Sequence, residues 1–207
     1  MSEISENDTY RTIETAQGEA LFKEKGSKFI GYVFPIEKED DAKIHIEELK
    51  KKHHAARHWC YAWQLGEEER SYRVNDDGEP NNSAGNPIYG QILSKDLTNV
   101  LVVVVRYFGG TKLGVGGLIN AYKTTAKLIL EEVVIVEKTV KVSFQLTFEY
   151  QDMDKVMRII KENSLEILEQ KMNLNCLFLI AVRKKNAAKI VQIFNDLRCL
   201  KIKEVKQ

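Results

Sequence analysis

Val100-Leu101-Val102-Val103-Val104-Val105-Arg106-Tyr107-Phe108-Gly109-Gly110-Thr111-Lys112-Leu113-Gly114-Val115-Gly116-Gly117-Leu118 is the stretch that decides how this chain folds. Its first six residues are apolar at both parities of a strand, so both faces must be buried and the strand belongs in the middle of a sheet. The glycines permit backbone conformations closed to other residues and let a second backbone or a ligand come close. Beyond them, Leu118, Tyr122, Ala126, Ile129 and Val133 form an apolar stripe at helical spacing, with Asn120, Lys123, Lys127 and Glu131 opposite. The order is buried strand, glycine-rich turn, amphipathic helix.

Upstream, Tyr10–Ile13, Glu19–Phe22 and Lys28–Phe34 read as strands, Asp40–Lys52 as a helix with a basic last turn, and Trp59–Trp63 as an aromatic strand. Residues 1–9 are expected to be disordered. Asp76–Asn82 is dense in turn formers, and Asn86-Pro87 predicts a capped helix running to Leu93. A short strand is expected at Val133–Val136. Downstream, strand Val140–Tyr150, helix Asp152–Asn163, strands Leu165–Gln170 and Cys176–Val182 about a turn at 173–175, helix Asn186–Leu197 and strand Leu200–Val205 follow in turn. That β-α-β-β-α-β order is the split arrangement of ferredoxin-like domains. The class is α+β, with a first domain over 1–137 and a second over 138–207.

Composition is that of an ordinary globular protein, and no apolar run approaches the roughly 18 residues of a membrane span. The polar, acidic start is neither a signal nor a transit peptide, which predicts a cytoplasmic protein without membrane association. Three widely spaced cysteines, Cys60, Cys176 and Cys199, read as buried thiols rather than a disulfide framework. The net charge of +1 hides an asymmetry. Residues 138–207 hold 14 Lys and Arg against 8 Asp and Glu, whereas 1–137 hold 17 against 22. The second domain is thus the better suited to a polyanion, or simply carries a solvated basic surface.

The glycine cluster opens a helix, where free N–H groups and the helix dipole favour an anion, with Arg106 and Lys112 close in sequence. It matches neither nucleotide fingerprint. Lys112 follows Thr111 rather than the glycine of a phosphate loop, and Ile119 stands where a dinucleotide motif needs glycine. No cofactor is expected. The glycines serve either tight packing on the sheet or recognition of an anion or backbone, and both remain open. His53, His54 and His58 near Cys60 suggest zinc, but the run passes from helix to strand at Arg57 and breaks the i,i+4 geometry; no metal is expected. Asp76, Asp77 and Glu79 could divide acid and base roles, or cap a turn and helix. Arg183-Lys184-Lys185, with Lys201 and Lys203 on the last strand, could meet phosphates or protect an edge strand.

Lys25-Gly26-Ser27-Lys28-Phe29-Ile30, His54-x-Ala56-x-His58-x-Cys60-Tyr61-Ala62, Asp77-Gly78-Glu79-Pro80, Ser83-Ala84-Gly85-x-Pro87 and the segment Val105–Leu118 together resemble the YigZ/IMPACT family, over about residues 20–135. The resemblance implies a first domain like domain IV of elongation factor G, related to a ribosomal-protein fold, and a ferredoxin-like second domain similar to domain V of that factor. It also implies a role in translation. In eukaryotic relatives the shared domain belongs to a regulator that limits activation of a general-control kinase by competing for its co-activator. Bacterial relatives look like nucleic-acid- or ribosome-associated proteins without an established reaction. The chain departs from the family at Asn81-Asn82, where serine-glycine is usual, and at Asn120, where arginine is common. The expected function is therefore binding of RNA, the ribosome or a translation-linked protein. The candidate anion surfaces are Arg106, Gly109, Gly110, Lys112, Gly114, Gly116, Gly117, Lys123 and Lys127, and separately Arg183, Lys184 and Lys185. The alternative is a metal-dependent hydrolase built on His54, His58, Asp77 and Glu79.

Overall fold

The structure, a computed structural model, describes residues 8–173 and 175–205. They form two compact units. The first, Tyr10–Lys138, contains all but the first residue of strand β1 (Thr9–Ile13), strands β2 (Gln17–Glu24), β3 (Ser27–Pro35), β4 (His58–Leu65), β5 (Ser71–Asn75) and β6 (Val100–Tyr107), and all but the last residue of β7 (Ile135–Thr139). Its helices are α1 (Glu39–Lys52), α2 (Gly85–Ser94) and α3 (Gly114–Glu132). The main sheet runs β2-β3-β6-β4-β5 with every neighbour antiparallel, and β1 pairs with β7 in a separate ribbon.

Strand β6 is central because its side chains are apolar on both sides. Val100, Val102 and Val104 pack with Ile88 and Ile92 of α2 and with Leu118, Tyr122 and Ile129 of α3. Leu101, Val103 and Val105 pack on the other face with Ala42, Ile46 and Leu49 of α1. All six strand residues are wholly buried, and each such side chain contributes about 1.5–3 kcal/mol of transfer free energy.

Two local expectations change. Ser71–Asn75, unread in the sequence, is an edge strand: among the described residues it pairs with β4 alone, and of its side chains Val74 reaches the core. Helix α2 starts at Gly85, and Asn86 is not its cap. Asp76 does that work from eight residues away, its carboxylate accepting N–H groups of Asn82, Ala84 and Gly85 at 2.8–2.9 Å.

The second unit runs from Thr139 through the described C-terminus, with Asp8 and Thr9 joined to it. It consists of β8 (Lys141–Glu149), α4 (Met153–Glu162), β9 (Glu166–Met172), β10 (Asn175–Arg183), α5 (Ala187–Asp196) and β11 (Leu200–Val205), with single 3₁₀ turns at Tyr150–Asp152 and Lys184–Asn186. The sheet order is β11-β8-β10-β9, antiparallel throughout. Phe144, Leu146 and Phe148 of β8 share one core with Val156 and Ile160 of α4 and with Ile190 and Phe194 of α5, so both helices cover the same face. Asp8 is not disordered: it is buried, and its carboxylate takes two hydrogen bonds from Arg183. Residues 1–7 lie outside the described residues, as does residue 174 in the expected turn. Cys60 and Cys176 are buried free thiols and Cys199 is half-buried. No described helix is long and apolar enough to cross a membrane.

Candidate functional site

Three strands of the first unit place Phe29, His58 and Arg106 in one row, because Arg106 of β6 faces Phe29 of β3 and His58 of β4 in register. The pleat puts Arg106 on the same side as Val104 and Val102, the side covered by α3. Its guanidinium therefore points inward, and only 5% of the residue is exposed. Nη1 donates to Oε1 of Glu79 at 2.5 Å, and the hydroxyl of Tyr122 on α3 donates to the same oxygen at 2.8 Å. The guanidinium lies 5.4 Å from the ring centre of Phe29 and 5.6 Å from that of Phe108. Its Nε has no partner among the described residues.

The loop that brings Glu79 here is held at several points. Asp77 accepts the N–H of Trp59 at 2.7 Å, and its own N–H meets Oδ1 of Asn75 at 2.6 Å. Asp77 and Gly78 take left-handed conformations, with φ of +43° and +84°. The Asp77 carbonyl, which can only accept, lies 2.8 Å from Nδ1 of His58. That ring nitrogen therefore carries the proton, and Nε2 faces Glu79 at 3.9 Å. Cys60 sits behind, 3.1 Å from the Asp76 carbonyl and 3.3 Å from the Tyr122 hydroxyl. Burial pushes both the Cys60 thiol and the Tyr122 phenol well above their ordinary ranges, so both stay neutral and the thiol is no nucleophile.

Of the four motif residues, then, His58 and Glu79 meet, Asp77 fixes the loop, and His54 lies exposed after α1. Among the described residues no group of three or more His, Cys, Asp or Glu side chains is placed to hold a metal ion. The neighbouring His53 is the buried one. Tyr32 donates to Glu19 at 3.0 Å, so its oxygen receives Nε2–H of His53 at 2.6 Å, and Nδ1 accepts from the Tyr107 hydroxyl at 2.9 Å. Burial first, and then the Lys52 ammonium, hold the His53 pKa down and keep the ring neutral.

Phe108–Leu113 then links β6 to α3, and its glycines divide into two kinds. A Cβ on Gly109 would fall 1.9 Å from the carbonyl carbon of Gly26, because this residue lies against the turn between β2 and β3. Its N–H donates to Oγ of Ser27 at 3.1 Å. Gly117 is likewise limited by Leu113. Gly110, Gly114 and Gly116 are different, since a Cβ on any of them would meet nothing within 4 Å. Gly110 and Gly114 have positive φ, whereas Gly116 has neither a conformational nor a packing reason to be glycine. Helix α3 starts without a side-chain cap and with no acidic residue in its first turn, so its N–H groups and positive dipole end are not neutralised locally.

Lys112, Lys123 and Lys127 are exposed, and Lys127 lies 3.7 Å from Glu131. Lys112 and Lys123 have no carboxylate partner among the described residues. Arg106 differs from its expected place among these lysines: it is buried and paired with Glu79, beneath the loop. In the second unit Arg183 donates to Asp8 at 2.6 and 2.9 Å, which holds the Asp8 carboxyl below the usual range. Lys184 is half-buried and Lys185 exposed in the 3₁₀ turn after β10. Tyr122 escaped the sequence reading because it falls in the apolar stripe of α3. The signal was its hydroxyl, which needs a partner once buried.

Known proteins resemble this chain in sequence and in fold. The chain is 32% identical over 177 residues to the IMPACT family member YvyE of Bacillus subtilis strain 168, covering 86% of this chain and 81% of that protein. It is 33% identical over 138 residues to the IMPACT family member YigZ of Escherichia coli strain K12, covering 66% and 68%. A crystal structure described only as that of a hypothetical protein superimposes with a TM-score of 0.73 at 24% identity, over 97% of this chain and 99% of that one, and so shares the fold. Residues 25–130 match the Impact N-terminal domain. That segment begins at the turn on which Gly109 rests and ends inside α3, enclosing the whole Arg106–Glu79 cluster, and the chain belongs to the IMPACT family.

Proposed function

We propose that the protein is a cytoplasmic, translation-associated regulatory protein that acts by binding, and that the loop 109–117 with the outer side of α3 receives RNA. Family membership supports the regulatory role. The observation that carries the RNA reading is the bare main chain at Gly110, Gly114 and Gly116, beside the uncapped start of α3 and the unpaired ammonium of Lys112. Backbone N–H groups, a helix dipole and a lysine converge there on whatever approaches, and all three favour phosphate. The Arg106–Glu79 pair serves as the rigid floor of this surface. In the same reading the first unit is like domain IV of elongation factor G and the second is ferredoxin-like. The strand order β11-β8-β10-β9 with both helices on one face supports the second assignment.

Gly116→Leu tests this reading. The new side chain enters open space on a helix, so thermal stability is expected to hold or rise, since leucine is a far better helix former than glycine. RNA affinity, measured by fluorescence anisotropy with a labelled oligonucleotide, is expected to fall at least tenfold. Unchanged affinity in a folded variant would overturn the proposal. Association in extract that survives nuclease would replace RNA with a protein partner.

A further inference from the structure

Resting on that reading, we propose that the RNA taken at the glycine loop is single-stranded, with a base stacked on Phe108. Phe108 stands at the mouth of the loop with 38% of its surface exposed. The exposed Arg57 guanidinium lies 5.3 Å from its ring centre, and the buried Arg106 lies 5.6 Å from the same ring. An aromatic ring flanked by arginine is the platform on which unpaired bases stack, and it tolerates any base because every base has a π-face.

The first turns of α3 point the same way. Val115, Ile119, Lys123 and Lys127 follow one another at i,i+4 steps along one exposed ridge, with Val115 53% and Ile119 38% exposed. A duplex presents phosphates and sugars outward, and would set charged oxygens against the apolar end of this ridge. A single strand can turn its bases onto Phe108, Val115 and Ile119 while its phosphates reach Lys112 and Lys123. Apolar groups at the start of this ridge and lysines further along it thus offer separate places for the bases and the phosphates of one unpaired strand.

The test compares a labelled 12-nucleotide uridine strand with a 12-base-pair RNA duplex, on the full chain and on Phe108→Ala and Phe108→Trp. The single strand is expected to bind wild type more tightly than the duplex. Phe108→Ala is expected to weaken single-strand binding roughly 5- to 100-fold, as loss of one base–aromatic stack does, and Phe108→Trp to restore it. Because no charge is lost, the dependence of affinity on salt should keep its slope in both variants. Circular dichroism melting of both variants checks the fold, and a melting point close to wild type is expected because Phe108 is 38% exposed. Equal single-strand affinity in wild type and Phe108→Ala, or a preference for the duplex, would overturn this inference and leave RNA binding standing. Binding to neither nucleic acid would overturn both.

Discussion

Arg106→Met is the perturbation whose outcome the structure determines most closely. The Arg106 and Glu79 side chains are only 6% and 4% exposed, and methionine keeps the aliphatic stem while removing the guanidinium that lies over Phe29. Removing the guanidinium leaves the Glu79 carboxylate buried with the Tyr122 hydroxyl and a histidine nitrogen 3.9 Å away. Stranding one partner of a buried pair costs about 3–5 kcal/mol, far more than the pair contributes over a neutral replacement. Glu79→Gln alone strands the guanidinium instead and should cost about 2–4 kcal/mol. Combined, the two substitutions remove both charges while the amide oxygen still accepts from Tyr122, so the double variant should be more stable than Arg106→Met alone. The chain's two tryptophans, Trp59 and Trp63, both lie on β4, so their fluorescence during urea or thermal unfolding reports on this unit alone. A unit of this size loses roughly 3–4 °C per kcal/mol, which puts the Arg106→Met melting point roughly 10 °C or more below wild type. If Arg106→Met unfolds within about 1 kcal/mol of wild type, or if the two substitutions simply add, the pair is not the floor of the loop.

Asp76→Ala should cost about 2 kcal/mol, because the N–H groups of Ala84 and Gly85 at the start of α2 and of Asn82 in the loop before it lose their acceptor; urea midpoints measure it. His53 predicts a pH dependence. Its folded pKa lies below the ordinary value near 6.5, so its contribution is complete above that pH. As the pH falls, the unfolded chain takes the proton first, and stability declines toward the folded pKa. Wild type should therefore lose stability between pH 7 and pH 5, and His53→Gln, whose side chain does not titrate, should lose less over the same interval. The groups facing His53 are the Tyr32 and Tyr107 hydroxyls, with Glu19 and Lys52 beyond, and Glu19 stays ionised here because the Lys52 hydrogen bond holds its pKa down.

Residues 100–105 carried the fold in the sequence because apolar side chains at both parities admit one placement, the centre of a covered sheet. The second unit was equally legible, since its strands alternate and its helices keep a clean apolar stripe. β5 was not: Ser71-Tyr72-Arg73-Val74-Asn75 is an edge strand with one inward residue, too little burial to leave a pattern. The cap of α2 was misread because Asp76 acts through a loop, and spacing rules see only neighbours along the chain. At the site, the parity that puts Arg106 on the face of Val102 and Val104 was present in the sequence but not used, and which face α3 covers came only from the structure. Proximity to Lys112 suggested a shared surface, and the pleat separated them. That Glu79 would be its partner depended on where the nine-residue connection between β5 and α2 lands, which no local pattern encodes.

RNA affinity as a function of salt tests the binding surface most directly. For wild type the logarithm of the association constant should fall linearly with the logarithm of salt concentration. Lys112→Ala/Lys123→Ala/Lys127→Ala, which removes three exposed cations and leaves the core intact, should reduce that slope by about 2, at roughly 0.7 per phosphate released on a single strand. A triple variant that binds with the wild-type affinity and the wild-type slope would show that RNA does not lie on the glycine loop and the outer ridge of α3.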